Sequence, residues 1–278
     1  MYMDWFPHMV SSMYVRAALL AALIMPSSAI AQDKITAPTL KLSFGVGATN
    51  DYEGADEAKA LPIAAFNYET PKFSIRSRGL GIEADFIPSS QFQIGPMIDY
   101  RFARDDDVID NSVTLLPEVG DAVEVGIYAA TGFPLNRIGV DDPTILTVRT
   151  SFAHDVDDGH DGFLARGIVG AIRPLTKNLT GVLNLSTTYA SGNYMSAYFD
   201  VSAASAAASG LSLFDAGAGF KDVGLTGILA YQFADSWSGS LIGGYKRLLG
   251  GAADSPVVHE TGSVNQFFTA VAISYRAF

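Results

Sequence analysis

The stretch QFQIGPMIDYRFARDDD, residues 91–107, changes polarity at almost every step: Phe92, Ile94, Ile98, Tyr100 and Phe102 fall on one side, Gln91, Gln93, Asp99 and Arg101 on the other. A period of two held over such a length means a strand whose two faces meet different media. The pattern recurs along the chain. Leu40, Leu42, Phe44 and Val46 oppose Lys41, Ser43 and Gly45. Within residues 72–86, two short strands set Phe73, Ile75, Ile82 and Phe86 against Ser74, Arg76, Arg78, Glu83 and Asp85. Val123, Val125 and Ile127 oppose Glu124; Leu146, Val148 and Phe152 oppose Thr147, Arg149 and Ser151; Val271, Ile273 and Tyr275 oppose Ser274 and Arg276. No sustained helical period follows residue 31, and the Ala/Ser run at 201–210 is the one candidate for a short loop helix. The chain is therefore all-β.

A soluble sandwich also alternates, so three further features decide the medium. The strands read as about ten residues each, the length of a tilted strand that crosses a bilayer. Tyr52, Tyr68, Tyr100, Tyr128, Tyr189, Tyr231, Trp237 and Tyr245 fall near strand ends, where aromatic girdles sit at the membrane interfaces. Short turns (69–72, 88–91, 173–178, 234–237) alternate with longer polar loops (50–59, 104–119, 153–161, 191–213, 249–263). The fold expected is a transmembrane antiparallel up-and-down β-barrel. With both ends in the periplasm the strand number is even, and about twelve strands result if residues 214–234 form one strand through the Lys221-Asp222 break; ten and fourteen are the alternatives.

Bulk properties bound the rest. Only 17% of residues are charged and the formal charge is −11, which argues against nucleic acid as a partner, because phosphate binding needs a basic surface. Mean hydropathy is +0.22, yet after the N-terminal region no apolar run has the length of a membrane helix. The absence of cysteine excludes disulfides and thiolate chemistry. Residues 13–32, MYVRAALLAALIMPSSAIAQ, carry Arg16, an apolar run over 17–25 and the small-x-small site Ala29-Ile30-Ala31. Residues 1–31 are read as a cleaved secretory signal peptide, with Met1 or Met13 as the start, and 32–278 as a single outer-membrane barrel domain.

The most metal-like stretch is HDVDDGHDG, residues 154–162, whose Asp155, Asp157, Asp158, His160 and Asp161 offer oxygens and an imidazole around a Gly turn. It lacks the bidentate Glu of a calcium loop, so a solvated loop is the favoured reading and no cofactor is expected. The acidic groups Asp51/Glu53/Asp56/Glu57 and Asp105/Asp106/Asp107/Asp110 read first as solvated gatekeeping charge on loops, with divalent cations bridging to lipopolysaccharide phosphates, or a filter for cationic solutes, as the alternative. Inside the barrel, Arg76, Arg78, Arg101 and Arg149 would face Glu83, Asp85, Asp99 and Glu124, charges tolerated there only if paired or wetted. They form either a salt-bridged filling or a selectivity filter. No base and nucleophile pair stands out among the four histidines, so an enzyme is not expected.

The run at 193–258, with GFKDVGL at 219–225 and LLGGAADSPVV at 248–258, together with the opening GVGATNDYEGADEAKALPIAAFNYE at 45–69, strongly resembles the MipA/OmpV family, the MltA-interacting proteins of Gram-negative outer membranes. The resemblance implies an outer-membrane barrel that scaffolds a lytic transglycosylase and a murein synthase, or a porin-like one. It brings no catalytic residues. The scaffold reading takes residues 132–143 as the contact surface; the alternative is a narrow channel for small solutes, cationic ones among them. Phe278 is out of step with Tyr275, Ile273 and Val271, so a terminal aromatic facing lipid requires a shifted register or a bulge.

Overall fold

The computed structural model describes residues 36–87 and 92–278. The signal-peptide reading and the turn at 88–91 lie outside the described residues. Twelve antiparallel strands close into one barrel in sequence order: β1 (Thr39–Asn50), β2 (Ala58–Glu69), β3 (Ser74–Arg78), β4 (Gly81–Asp85), β5 (Phe92–Arg101), β6 (Ala122–Pro134), β7 (Ile145–Asp155), β8 (Phe163–Pro174), β9 (Leu179–Ala190), β10 (Gly219–Ala234), β11 (Trp237–Leu248) and β12 (Asn265–Arg276). β12 returns to β1 with Val271 opposite Val46, leaving no free edge there. Residues 219–234 run as one strand because a register shift between Phe220 and Asp222 takes up Lys221 as an extra residue.

The alternation turns apolar side chains outward. Phe44, Val46, Ile127, Leu183, Val271 and Ile273 are each at least half exposed, as a lipid-facing belt requires. Aromatic pairs mark both ends of β11: Trp237 with Tyr275 at one rim, Tyr245 with Phe267 at the other. Two of the expected girdle residues lie elsewhere. Tyr52 is buried among the loops, and Tyr128 is 1% exposed inside the barrel. At the C-terminus, Leu40 accepts a hydrogen bond from the Ala277 N–H and donates its own N–H to the Phe278 carbonyl. Two residues thus oppose one, a bulge, and Phe278 is exposed.

The wall is uneven. β3 and β4 have 5 residues each, where β10 has 16, which matches the two short strands read within residues 72–86 and departs from the length of about ten read for the others. β2 pairs with β3 only from Asn67 to Glu69, and β4 with β5 only through Ile82–Ile98 and Glu83–Met97.

At the outer mouth the loops form helices: α1 (Gly192–Phe199), α2 (Ala203–Ser209), α3 (Gly250–Asp254) and α4 (Pro256–His259). The side chains of Ser191, Ser202 and Ser255 accept from backbone N–H groups of the first turns of α1, α2 and α4, which is why these polar segments start helices. Tyr194, Met195, Tyr198 and Phe199 of α1 pack with Leu248, Ala252 and Val258. A second cluster joins Tyr52, Val108, Val113, Leu116, Val201 and Val257. The largest apolar core therefore sits in the mouth, not at mid-barrel.

Candidate functional site

The barrel interior and the loops that enter it hold the polar groups in three tiers. The outermost centres on Glu53, carried inward by the β1–β2 loop. It is ion-paired with Lys221, lies 3.7 Å from Lys246, and accepts a hydrogen bond from the Tyr194 hydroxyl at 2.6 Å. Lys221 also reaches Asp222 at 2.9 Å. Burial alone would push the Glu53 carboxyl up, but Lys221, Lys246 and Arg101 together hold it well below the ordinary carboxylate range. Burial drives the Tyr194 hydroxyl far above its usual value, so it stays a proton donor to Glu53.

The second tier joins barrel wall to loops. Arg101 Nε donates to Glu124 Oε1 at 2.9 Å, and His160 Nε2 approaches the same oxygen at 3.1 Å. The Gly162 N–H donates to His160 Nδ1, which makes the neutral Nε2–H form the one that serves Glu124. The Arg101 guanidinium lies 5.2 Å from the Tyr194 ring centre, within cation–π range. Arg104, outside the strands, donates to the Tyr198, Ala197 and Pro117 carbonyls and so ties the C-terminal turn of α1 to the β5–β6 loop. Burial lowers its affinity for the proton, a cost offset by these carbonyls.

The third tier lies deeper. Glu83, 1% exposed, receives Arg149 at 2.5 Å, Arg76 at 3.3 Å and Arg78 at 3.4 Å. Tyr128 lies beneath Arg149 and Arg76, 4.3 Å and 5.7 Å from ring centre to guanidinium carbon. Asp85 is also buried; one oxygen accepts the Ile87 N–H, and the other has no partner among the described residues. Asp99 lies beside Gly81 of the hairpin.

The structure thus brings Arg76, Arg78, Arg149 and Glu83 into one group and Arg101 with Glu124 into another, while Asp85 and Asp99 join neither by an ion pair among the described residues. In the 154–162 segment, Asp155 accepts backbone N–H groups from Asp157, His160 and Asp161 and so shapes the turn. Asp158 and Asp161 take positive φ, a conformation Asp tolerates better than most residues. His160 is turned inward to Glu124. Among the described residues no three His, Cys, Asp or Glu side chains are grouped to hold a metal ion.

Sequence reasoning missed Lys221, Lys246, Arg104 and Tyr194, and placed Glu53 among solvated loop acids. Glu53, Lys221 and Asp222 fall in the segments Tyr52-Glu53-Gly54 and GFKDVGL that carry the family resemblance. That coincidence was the available signal.

These two segments also lie within residues 42–277, which match the family described as MltA-interacting protein MipA. The chain belongs to that family. No curated protein matches it. Solved structures similar to this MipA-family barrel include an outer membrane channel from Pseudomonas putida F1, at 10% identity and TM-score 0.46 over 91% of this chain and 99% of that one. Others are OmpT of Vibrio cholerae, at 9% identity and TM-score 0.38 over 86% and 98%, and the translocator domain of the autotransporter NalP from Neisseria meningitidis, at 9% identity and TM-score 0.34 over 87% and 89%. A closed antiparallel barrel with an apolar outer belt, in this family, is an outer-membrane β-barrel.

Proposed function

We propose that this barrel is a non-enzymatic structural protein of the Gram-negative outer membrane, exported by a cleaved signal peptide. In this reading it anchors lipopolysaccharide-facing loops on one side and murein-synthesising and murein-hydrolysing enzymes on the other. The observation that carries it is the filled outer mouth: α1, α3 and α4 pack into a buried apolar cluster, and Glu53, Lys221 and Tyr194 cross-link the loops to the wall beneath. A pore that passes solutes along its axis has no use for an apolar core at its entrance. At the opposite rim, Phe133 at the end of β6 and Ile138 and Val140 of the β6–β7 connection are exposed, Ile138 at 73%. An apolar rim beyond the strand ends suits a periplasmic partner.

The test has two parts. The refolded chain in a planar bilayer should be electrically silent, and a purified periplasmic lytic transglycosylase should bind it in an Ile138-dependent way. Ion-selective steps that change on neutralising Arg76, Arg101 or Glu124 would instead establish the narrow channel, a reading favoured by the charged inner wall at Glu83 and Glu124.

A further inference from the structure

The short β3–β4 hairpin leaves part of the barrel wall unbuilt. Above Asn67, β2 continues to Ala58 with β1 as its neighbour on one side and, among the described residues, no strand on the other. The Phe66 N–H, one residue beyond the ladder, is met by the Ser77 side chain. Backbone groups of alternate residues face the same way, so Ala64, Pro62 and Ala60 present theirs to the gap. Proline at 62 has no N–H to leave unpaired there, which is where a strand interior tolerates it. The hairpin leans away from β2: a Cβ on Gly81 would lie 2.0 Å from Asp99 Oδ1 and 2.3 Å from the Ile98 carbonyl, so only glycine permits this approach to β5. Overhead the gap is bridged, because Lys59 Nζ donates to the Asp107 carbonyl at 2.9 Å and the Ile109 N–H to Asp51 Oδ2 at 2.7 Å. The result is a frame with the hairpin tip below, β2 and β5 at the sides and the β5–β6 loop above.

The outward face of this frame is apolar. Ala60, Pro62 and Ile98 are exposed, and Tyr100 packs edge-on against Phe102. The inward side is cationic. Arg78, at the hairpin tip, keeps 28% of its side chain exposed. Together with Arg76 and Arg149 it shares the single carboxylate of Glu83, while Arg166 and Asp99 lie in its electrostatic surroundings. An open strand edge at membrane depth is tolerated only where protein or a polar cavity covers it, and guanidinium in excess of carboxylate calls for an anion.

We propose that this gap is a lateral window through which the alkyl chain of an anionic amphiphile bearing a phosphate or carboxylate head enters from the outer leaflet, with Arg78 holding the head group inside the wall. The outer mouth is filled by loops, so the membrane side is the direct way to this part of the lumen. The inference does not depend on the periplasmic contact proposed above.

The test is photo-crosslinking of the full mature chain in lipid nanodiscs with a diazirine-bearing dodecyl phosphate, mapped by mass spectrometry. Adducts should concentrate on residues 60–66 and 98–102, compete away with dodecyl phosphate, and fall about tenfold in Arg78→Gln, as loss of one charge-assisted contact implies. Ala64→Trp, which fills the gap and leaves the charges intact, should reduce them likewise. Heat-modifiable migration of each variant verifies folding. Adducts spread evenly over the lipid-facing belt would overturn the window, as would adducts insensitive to both substitutions. Competition by inorganic phosphate as strong as by dodecyl phosphate would show an ion site with no lateral route and equally overturn it.

Discussion

The wall from β8 to β12 and the wall from β2 to β7 follow the same alternation and solve different problems. On the first, strands of 12 to 16 residues pair along nearly their full length. Its mouth end carries Lys221, Asp222 and Lys246; elsewhere its buried inward residues, Thr188, Thr226 and Ser274, are small and neutral, and the Phe268 ring lies where a Cβ on Gly244 would be, 1.9 Å away. On the second, ladders are short at the hairpin, and the interior is spanned by guanidinium and carboxylate groups around Glu83 and Glu124. Below the mouth, where that pairing is complete, the interior needs little more than packing. Where it is interrupted, side chains bridge the strands, and they do so with charges that fail badly if a single partner is lost.

That contrast breaks most visibly at Glu83. Glu83→Ala leaves three guanidiniums without their shared partner, and the expected cost is about 3–5 kcal/mol, read as a fall in the urea midpoint of the folded, heat-modifiable band. A smaller loss is expected on the neutral wall. Gly244→Ala forces the Phe268 ring aside and should cost about 1–3 kcal/mol by overpacking, with Phe268→Leu in the same chain restoring most of it.

Glu53→Gln should affect the mouth more than the barrel. Because the folded carboxyl is held below its ordinary value of 4.5, its contribution is complete above that pH and is lost as pH falls through the lower folded value. Hydrogen exchange over 192–199 should thus stay slow from neutral pH to about pH 4.5 in the wild type and be faster throughout this range in Glu53→Gln. The smallest effect belongs to Arg173→Ala. Its pair with Asp142 at 2.7 Å is exposed at the rim of short turns, and exposed pairs contribute little, so the urea midpoint should not move measurably.

Much of this was legible in the residues. Period-two alternation sets strand faces, and the loop and turn rhythm with even parity leads to twelve strands, including the bridged break at Lys221-Asp222. The inward side of Arg76, Glu83, Arg101, Glu124 and Arg149 follows from the same parity. Which charges meet does not, because Arg149 and Glu83 are 66 residues apart and are brought together by barrel closure. The helices in the mouth were largely illegible, since α1, α3 and α4 are too short to show a helical period and are stabilised by one another, with Ser caps on α1 and α4. Tyr128 misled because the sequence reads it near a strand end, which suggests a girdle, while it lies in the middle of β6 and its parity places it inside beneath Arg149.

By itself the sequence determined the faces of the strands whose alternation it shows and the medium each face meets, because alternation is a local property of consecutive residues. Only the tertiary structure decided that Glu53 and Lys221 pin the loops into the mouth and how little of β2 and β5 the short β3–β4 hairpin covers. Those outcomes depend on distances between residues far apart in the chain, and only closure of the barrel sets them.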